Sequence, residues 1–218
     1  SANNLAVCNA SGEQAITKIA SLEDGSCYIS WFDNRSSGYD VYMQRFDSQG
    51  NPLWKENGIL IADRNYSWVM DFDLDIDAIG NAVVVYRKNL FGGDGIVVSS
   101  ISPEGEIQWT STVQSAGPYV ASPVIATTNV QVVVGWICDD DSKFQQLGLD
   151  GTQYWKQPIT ISDPQGGSLQ VADIHPSLDG SMIASFVQYS CLSIAFWRFR
   201  QFCVRFIDEK RANDWREM

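Results

Sequence analysis

The 218-residue sequence has little of what most reaction centres are built from. It contains one histidine, His175, and its five cysteines form no C-x-x-C pair, so it predicts neither a zinc site nor a complete disulfide framework. We expect the cysteines to be small buried side chains on strands. No run of 18 uncharged apolar residues occurs, so no membrane-spanning helix is predicted.

Basic residues are also scarce, with 15 Lys and Arg against 26 Asp and Glu, for a net charge of -11. Because phosphate binding needs clustered cations, we expect no nucleic-acid partner. No Gly-rich phosphate loop, nucleophile elbow or Ser-His-Asp order accompanies His175, so no hydrolase triad is predicted. Hydrophobic residues make up 44% of the chain and aromatic residues 12%, which supplies a core, and the lack of a helical pattern favours an all-β protein.

Two patterns recur along the chain. A turn followed by tryptophan occurs four times, and the copies end at Trp54, Trp109, Trp155 and Trp215. Upstream of each, a Gly- or Asn-containing turn precedes an apolar run that ends in an aromatic residue, at Trp31, Tyr86, Trp136 and Phe186. The second set is spaced by 55, 50 and 50 residues. Two anchors with one period indicate an internal repeat.

Each repeat is predicted to contain four short antiparallel strands, which in the first copy span 15–21, 26–32, 39–46 and 58–62. Such a unit repeated about every 50 residues is typical of a β-propeller. We therefore predict a single all-β propeller domain over 1–218, with four-stranded blades at about 14–63, 64–116, 117–163 and 164–218. The four turn tryptophans are expected to pack between neighbouring blades.

The ends of the chain leave two arrangements open. The last copy has no obvious fourth strand, and residues 4–9 resemble the fourth strand of the first copy. An N-terminal strand at 4–9 would complete the last blade and close a four-bladed ring. Alternatively, the four blades belong to a larger ring.

The segment from Trp31 to Trp54 resembles the repeat of secreted bacterial β-propellers, W-x-D-x-R-x-G-x-x-D-I-Y-A-Q-R-x-D-x-x-G-x-x-x-W. This resemblance implies a bacterial extracellular or cell-surface protein, generally of unassigned activity. The later copies depart from the pattern, since Lys88 and Leu90 replace the Asp33 and Arg35 pair in the second. The turns also resemble the Asp-box of sialidase-like propellers and the tryptophan motif of quinoprotein propellers, both structural devices that transfer no activity.

The first strand of a propeller blade lines the central channel, so its exposed positions are where a site would form. Aligned copies place Lys18, Asp73, Pro123 and Asp173 in one register and Ala20, Asp75, Ile125 and His175 two residues on. Residues two apart share a strand face. The candidate ligand-binding residues are therefore Lys18, Asp73, Asp75, Asp173 and His175.

Two chemistries are open to this set, because converging carboxylates can bind a cation through oxygen ligands or, if spaced correctly, act as an acid and base pair. No cofactor is expected other than calcium, which Asp73 and Asp75 could bind through their carboxylate oxygens. They could equally line a solvated channel or pair with Lys18. Asp71, Asp73, Asp75 and Asp77 lie on one face and need compensating cations. Farther out, Asp33, Arg35 and Asp40 are expected to form an ion-pair network.

For function, the sequence favours a non-catalytic extracellular module that binds a glycan or protein partner through one face of the ring. The first alternative is a carbohydrate-active enzyme of sialidase-like type. That enzyme needs an arginine cluster on the channel face, and the innermost strand positions offer no arginine. The second alternative is a purely structural module of a larger surface protein.

Overall fold

The computed structural model describes residues 5–36, 38–64, 72–177, 181–189, 200–207 and 215–217. In these ranges the chain forms four antiparallel sheets of four strands each. The first contains β1 (Gln14–Ser21), β2 (Cys27–Asp33), β3 (Asp40–Phe46) and β4 (Ile59–Ala62), and the second contains β5 (Phe72–Ile76), β6 (Ala82–Leu90), β7 (Gly93–Ile101) and β8 (Ile107–Gln114). The third contains β9 (Val120–Thr127), β10 (Gln131–Cys138), β11 (Asp141–Gly148) and β12 (Ile159–Ile161), and the fourth contains β13 (Ser168–Pro176), β14 (Met182–Tyr189), β15 (Arg200–Ile207) and β16 (Trp215–Glu217).

Each sheet pairs its strands in chain order, so the first strand lies at one edge and the fourth at the other. The first strands contact one another in succession, β1 with β5, β5 with β9 and β9 with β13. This arrangement confirms the predicted all-β propeller architecture of four-stranded blades. Among the described residues, no helix is long and apolar enough to cross a membrane.

The second strands carry the core because neighbouring sheets cover both of their faces. Val83 and Val85 of β6 pack with Val132, Val134 and Trp136 of β10 in one buried cluster that joins the second and third sheets. The continuous apolar runs of these strands are what such two-sided burial requires. β-branched side chains suit the pleated surface that results.

The turn tryptophans fasten one blade to the next. The Trp54 indole N–H donates to the Pro103 carbonyl oxygen at 2.9 Å, and that of Trp109 donates to the Leu149 carbonyl oxygen at 2.7 Å. Trp155 packs against the cluster shared by the third and fourth sheets. These contacts confirm the predicted inter-blade packing at three positions, whereas the side chain of Trp215 lies outside the described residues.

Glycine is required where these tryptophans meet the next blade's turn. Gly151 has φ +81, and a Cβ there would lie 2.6 Å from the Trp109 ring. Gly105 has φ +89, and its Cβ would lie 3.2 Å from Trp54. The turn glycine thus supplies both a left-handed backbone and room for the indole.

The prediction for the N-terminal segment is wrong. Residues 5–9, the described part of the expected strand at 4–9, form no strand. They lie on the first blade, where the Asn9 N–H donates to the Asn57 side chain at 2.7 Å. The fourth strand of the last sheet is instead β16, paired with β15 through Arg205 and Trp215.

The expected ion-pair network is only partly formed. Asp33 and Arg35 are paired at 2.5 Å, as predicted. Asp40 does not join them, because its carboxylate accepts the Arg64 backbone N–H at 2.9 Å. Burial raises the pKa of Asp40 despite that hydrogen bond.

The cysteine prediction holds in part. Cys8, Cys27 and Cys138 are free thiols, and Cys138 is buried on β10 as expected. Cys27 is half-buried on β2, and Cys8 is half-buried but lies outside the strands. The side chains of Cys191 and Cys203 lie outside the described residues.

Candidate functional site

A cavity of about 280 Å³ opens between the first strands of the blades. We call it the axial cavity, and it is lined by Lys18, Phe72, Ser122, Pro123, Val124, Ile137, Gln170, Val171, Ala172 and Val187. It lies at the end of the sheets where β5, β9 and β13 begin and β10 and β14 end. We call that end the rim.

Irregular backbone shapes this cavity. The pairing register shifts between Ala15 and Lys18 in β1, and between Val171 and Asp173 in β13. β9 shifts against β10 at Gly135 to Ile137, opposite Ser122. Ile16 and Ser122 have φ of 48° and 44° beside these shifts, in the left-handed region that such residues seldom occupy. β-bulges re-aim side chains and gather near functional sites, so these three mark the axial cavity as a built feature.

Lys18 and Asp73 form the ion pair of the site, with the Lys18 Nζ 3.2 Å from an Asp73 oxygen. The other Asp73 oxygen accepts the Ile125 backbone N–H at 3.1 Å, so the carboxyl group links β1, β5 and β9. Burial raises the pKa of Asp73, and Lys18 and the Ile125 N–H offset only part of that rise. The Asp73 side chain is only 17% exposed.

Asp75 makes contacts that the sequence did not predict. One of its oxygens accepts both the backbone N–H of Thr127, at 2.7 Å, and the Thr127 hydroxyl, at 2.9 Å. The other accepts the Ile76 N–H at 2.8 Å. Asp75 thus ties the second blade to the third, and its hydrogen bonds replace the cation that a bare acidic face would need.

Asp77 is also satisfied locally, because its carboxylate accepts the N–H groups of Ile79 and Asn81 in the β5–β6 turn. Asp71 lies outside the described residues. Within the described ranges, no three His, Cys, Asp or Glu side chains are grouped to hold a metal ion. Calcium at Asp73 and Asp75 stays a prediction.

Asp173 and His175 form a second pair on β13, with the His175 Nε2 3.0 Å from an Asp173 oxygen. Their side chains are 50% and 72% exposed. The strand period places them on one face, as predicted. Of the five candidate residues, the structure thus joins Lys18 with Asp73 and Asp173 with His175, while Asp75 turns to Thr127.

The aligned register is correct in three blades and slips by one residue in the third. Lys18, Asp73 and Asp173 pair with Ser30, Val85 and Ser185, which precede the aromatic anchors Trp31, Tyr86 and Phe186. The equivalent residue in the third blade is Val124, paired with Gly135, and not Pro123. The cause is the β9–β10 turn, which closes from Thr128 to Gln131, one residue shorter than the Asp77 to Asn81 turn.

Phe72, Ser122 and Gln170 line the cavity and were missed from the sequence. A bulge leaves almost no trace in composition, so their direction could not be read from the alternation of side chains. The one available signal was Pro123, because proline inside a strand is confined to edges and bulges.

A second and larger groove, of about 830 Å³, lies at the opposite end of the sheets. The turns that follow β1, β5 and β9 line it, among them Leu22, Asp24, Ile79 and Asn129. Of the five candidate residues it contains Asp75 alone, and Lys18, Asp73, Asp173 and His175 do not line it.

Comparison with known proteins identifies the fold through solved structures alone. No family model matches the sequence, and no curated protein matches it. The Penicillium chrysogenum alpha-L-arabinanase complexed with arabinobiose aligns with a TM-score of 0.66 at 9% identity, over 97% of this chain and 68% of that one. The GH93 alpha-L-arabinofuranosidase of Fusarium graminearum with arabinobiose gives 0.61 at 12% identity, over 96% and 68%.

The endo-arabinase from Bacteroides thetaiotaomicron gives a TM-score of 0.51 at 15% identity, over 91% of this chain and 78% of that one. The chain thus spans about two thirds of the length of the first two structures. At identities this low, the TM-scores show a shared fold and nothing more. The shared fold agrees with the predicted likeness to sialidase-like propellers. Because no family model matches the sequence, the resemblance to the secreted bacterial repeat stays a prediction.

These comparisons correct the functional prediction. The three solved structures named above are carbohydrate-active enzymes, which counts against a non-catalytic binding module and favours the first alternative. The prediction was wrong because it required the arginine cluster of a sialidase. An enzyme that cleaves other glycosidic bonds needs two carboxyl groups rather than arginines.

Proposed function

We propose that this chain forms part of a carbohydrate-active enzyme that cleaves glycosidic bonds, and that the axial cavity binds the sugar. The observation that carries the proposal is Asp73, a mostly buried carboxyl group paired with Lys18, and Lys18 lines the cavity. Burial raises its pKa, which suits a group that must be protonated when it meets its substrate. The enzymes that share the fold support the reaction class.

In the proposed reaction, the Asp73 carboxyl group donates its proton to the glycosidic oxygen as the bond to the anomeric carbon breaks. Water adds to that carbon, and its proton passes to a second carboxylate. Asp173 is the candidate for this role, because it occupies the Asp73 register on β13 and is half-exposed. Lys18 positions the Asp73 carboxyl group.

The proposal includes an extracellular location. A polysaccharide is too large to enter a cell intact, so an enzyme that cleaves one works outside it. The secreted repeat that the segment from Trp31 to Trp54 resembles supports the same location. The acidic charge of -11 suits a glycan substrate better than a polyanion.

The test is the release of reducing ends from arabinan, xylan and galactan by the wild-type protein and by the Asp73→Asn variant. We expect one glycan to be cleaved and the variant to lose about 100-fold or more in kcat. The matched control is Asp150→Asn, an exposed turn carboxylate remote from the cavity, which should keep wild-type activity. A chelator arm tests calcium at Asp73 and Asp75.

The pH profile gives a second readout. The acid must be protonated, so kcat/KM should fall as the pH rises through the raised pKa of Asp73, above the ordinary range of an aspartate. A folded Asp73→Asn variant with wild-type kcat would refute the role of Asp73. No cleavage of any of the three glycans by the wild-type protein would refute the reaction class.

A further inference from the structure

The hairpin between β6 and β7 rises farther at the rim than the corresponding hairpins of the first and third blades. Strand β2 ends two residues after Trp31, where Asp33 pairs with Asp40, and β10 ends two residues after Trp136. Strand β6 continues four residues past Tyr86, to the pair of Leu90 with Gly93. Two extra residue pairs lift this hairpin by about 7 Å.

The tip of the hairpin carries Phe91, whose side chain is fully exposed. Gly92 and Gly93 follow it with φ of 95° and 137°, a backbone that other residues rarely adopt. A Cβ on either glycine would contact Ala116, so the tip lies against the connection that leads into β9. In this segment Lys88 and Leu90 replace the Asp33 and Arg35 pair of the first repeat.

Tyr119 stands on that connection and is 58% exposed. Its backbone is fixed on both sides, because its N–H donates to the Asp139 carboxylate at 3.2 Å and its carbonyl accepts the Asp139 N–H at 2.9 Å. The Arg87 guanidinium, itself paired with Asp94, lies over the ring 5.2 Å from its centroid. One ring face is therefore covered and the other is open to solvent.

Both aromatic residues belong to the end of the molecule that holds the axial cavity. Phe72 lines the cavity and pairs with Tyr86, from which β6 runs on to Phe91. Tyr119 lies three residues before Ser122, which also lines the cavity. A chain that leaves the cavity on this side reaches Tyr119 and the hairpin.

We propose that Tyr119 and Phe91 form an aromatic binding platform for the part of a glycan chain that extends beyond the axial cavity. Sugar rings present C–H faces that pack on aromatic rings, and their hydroxyl groups donate to carboxylates. Asp139, exposed beside Tyr119, supplies such a carboxylate. Asp139 fixes the Tyr119 backbone and Arg87 lies over the ring, so the side chain loses little conformational entropy on binding. The inference rests on the proposed function only in taking a glycan as the ligand.

The test is affinity gel electrophoresis in soluble arabinan, xylan and galactan, followed by the same measurement on variants in the glycan that retards the wild-type protein most. Tyr119→Ala and Phe91→Ala should each raise the apparent Kd, by roughly tenfold for Tyr119→Ala. Tyr119→Phe keeps the ring and should bind like the wild-type protein. Tyr154→Ala is the matched control, since Tyr154 is 56% exposed and lies in the turn after β11, away from the rim.

The outcomes separate this inference from the proposed function. Retardation that depends on Tyr119 but comes without cleavage supports the platform and refutes the enzyme. Asp73→Asn should lose cleavage and keep retardation. Folded Tyr119→Ala and Phe91→Ala variants that are retarded like the wild-type protein, or a wild-type protein that none of the three glycans retards, would overturn the platform. Circular dichroism establishes folding of each variant.

Discussion

Asp33→Asn tests the buried carboxylate that holds the first blade together. The Asp33 side chain is fully buried. It accepts the Trp31 indole N–H at 2.9 Å, the Arg35 backbone N–H at 3.0 Å and the Arg35 guanidinium at 2.5 Å. Arg35 in turn donates to the Asn57 carbonyl oxygen at 3.0 Å and lies over the Tyr42 ring.

The pKa of Asp33 sets the magnitude. Burial alone would raise it, but the hydrogen bonds from Arg35 and Trp31 outweigh burial and lower the pKa to about 2 from the ordinary 3.8. At about 1.4 kcal/mol for each pKa unit, the carboxylate contributes about 2 kcal/mol to the free energy of unfolding. Asparagine removes this charge and leaves Arg35 without a counter-ion, so we expect a loss of about 2 to 3 kcal/mol.

The sign of the pH dependence follows from the lowered pKa. The contribution of Asp33 is complete above the unfolded-state pKa near 3.8, and it disappears as the pH falls through about 2. The stability difference between the wild-type protein and Asp33→Asn should therefore be constant above about pH 4 and shrink below it.

Urea unfolding followed by tryptophan fluorescence measures this difference. The control is Asp47→Asn, at an exposed turn where asparagine can keep the acceptor that the Gln49 and Asn51 N–H groups use. It should leave the free energy of unfolding close to that of the wild-type protein. Two results would contradict a stabilising role for the Asp33 carboxylate. One is a loss of unfolding free energy below about 1 kcal/mol for Asp33→Asn. The other is a stability difference between variant and wild-type protein that stays the same from about pH 6 to about pH 2.5.

Two further substitutions test the packing. Gly58→Ala places a Cβ 2.6 Å from the Met43 carbonyl oxygen at φ +76, so it should cost more than about 2 kcal/mol, whereas Gly166→Ala, at φ +78 in open space, should cost about 1 kcal/mol. Equal losses on thermal unfolding would contradict the close approach at Gly58. Trp109→Phe removes the hydrogen bond to the Leu149 carbonyl oxygen and should cost about 1 kcal/mol or more, and an unchanged Tm would contradict its role between blades.

Much of the fold could be predicted because its pattern is local. The aromatic residues Trp31, Tyr86, Trp136 and Phe186 lie on the second strand of each sheet, and their period alone indicates four like sheets. The tryptophan in each turn was predictable for the same reason. Repetition of one unit averages out the ambiguity of any single strand.

For the site, the alternation of side chains along a strand could predict which face each candidate residue lies on, but not its partners. Alternation places Asp73 and Asp75 on one face, but which neighbour each meets depends on the stagger between blades. That stagger brings Thr127 to Asp75 and Lys18 to Asp73. The bulges at Ile16 and Ser122 and the short turn at Thr128 shift register by single residues, which no residue pattern reveals.

The proposed function requires a sugar to bind in the axial cavity, next to the Lys18 and Asp73 pair. Crystals of the Asp73→Asn variant, soaked with an oligosaccharide of the cleaved glycan, test it directly. We predict density for a sugar ring in contact with Lys18 and Ser122, with a glycosidic oxygen within hydrogen-bond distance of residue 73. Two results would contradict sugar binding in the axial cavity. One is density only in the groove at the opposite end, near Ile79. The other is an axial cavity that stays empty at saturating ligand.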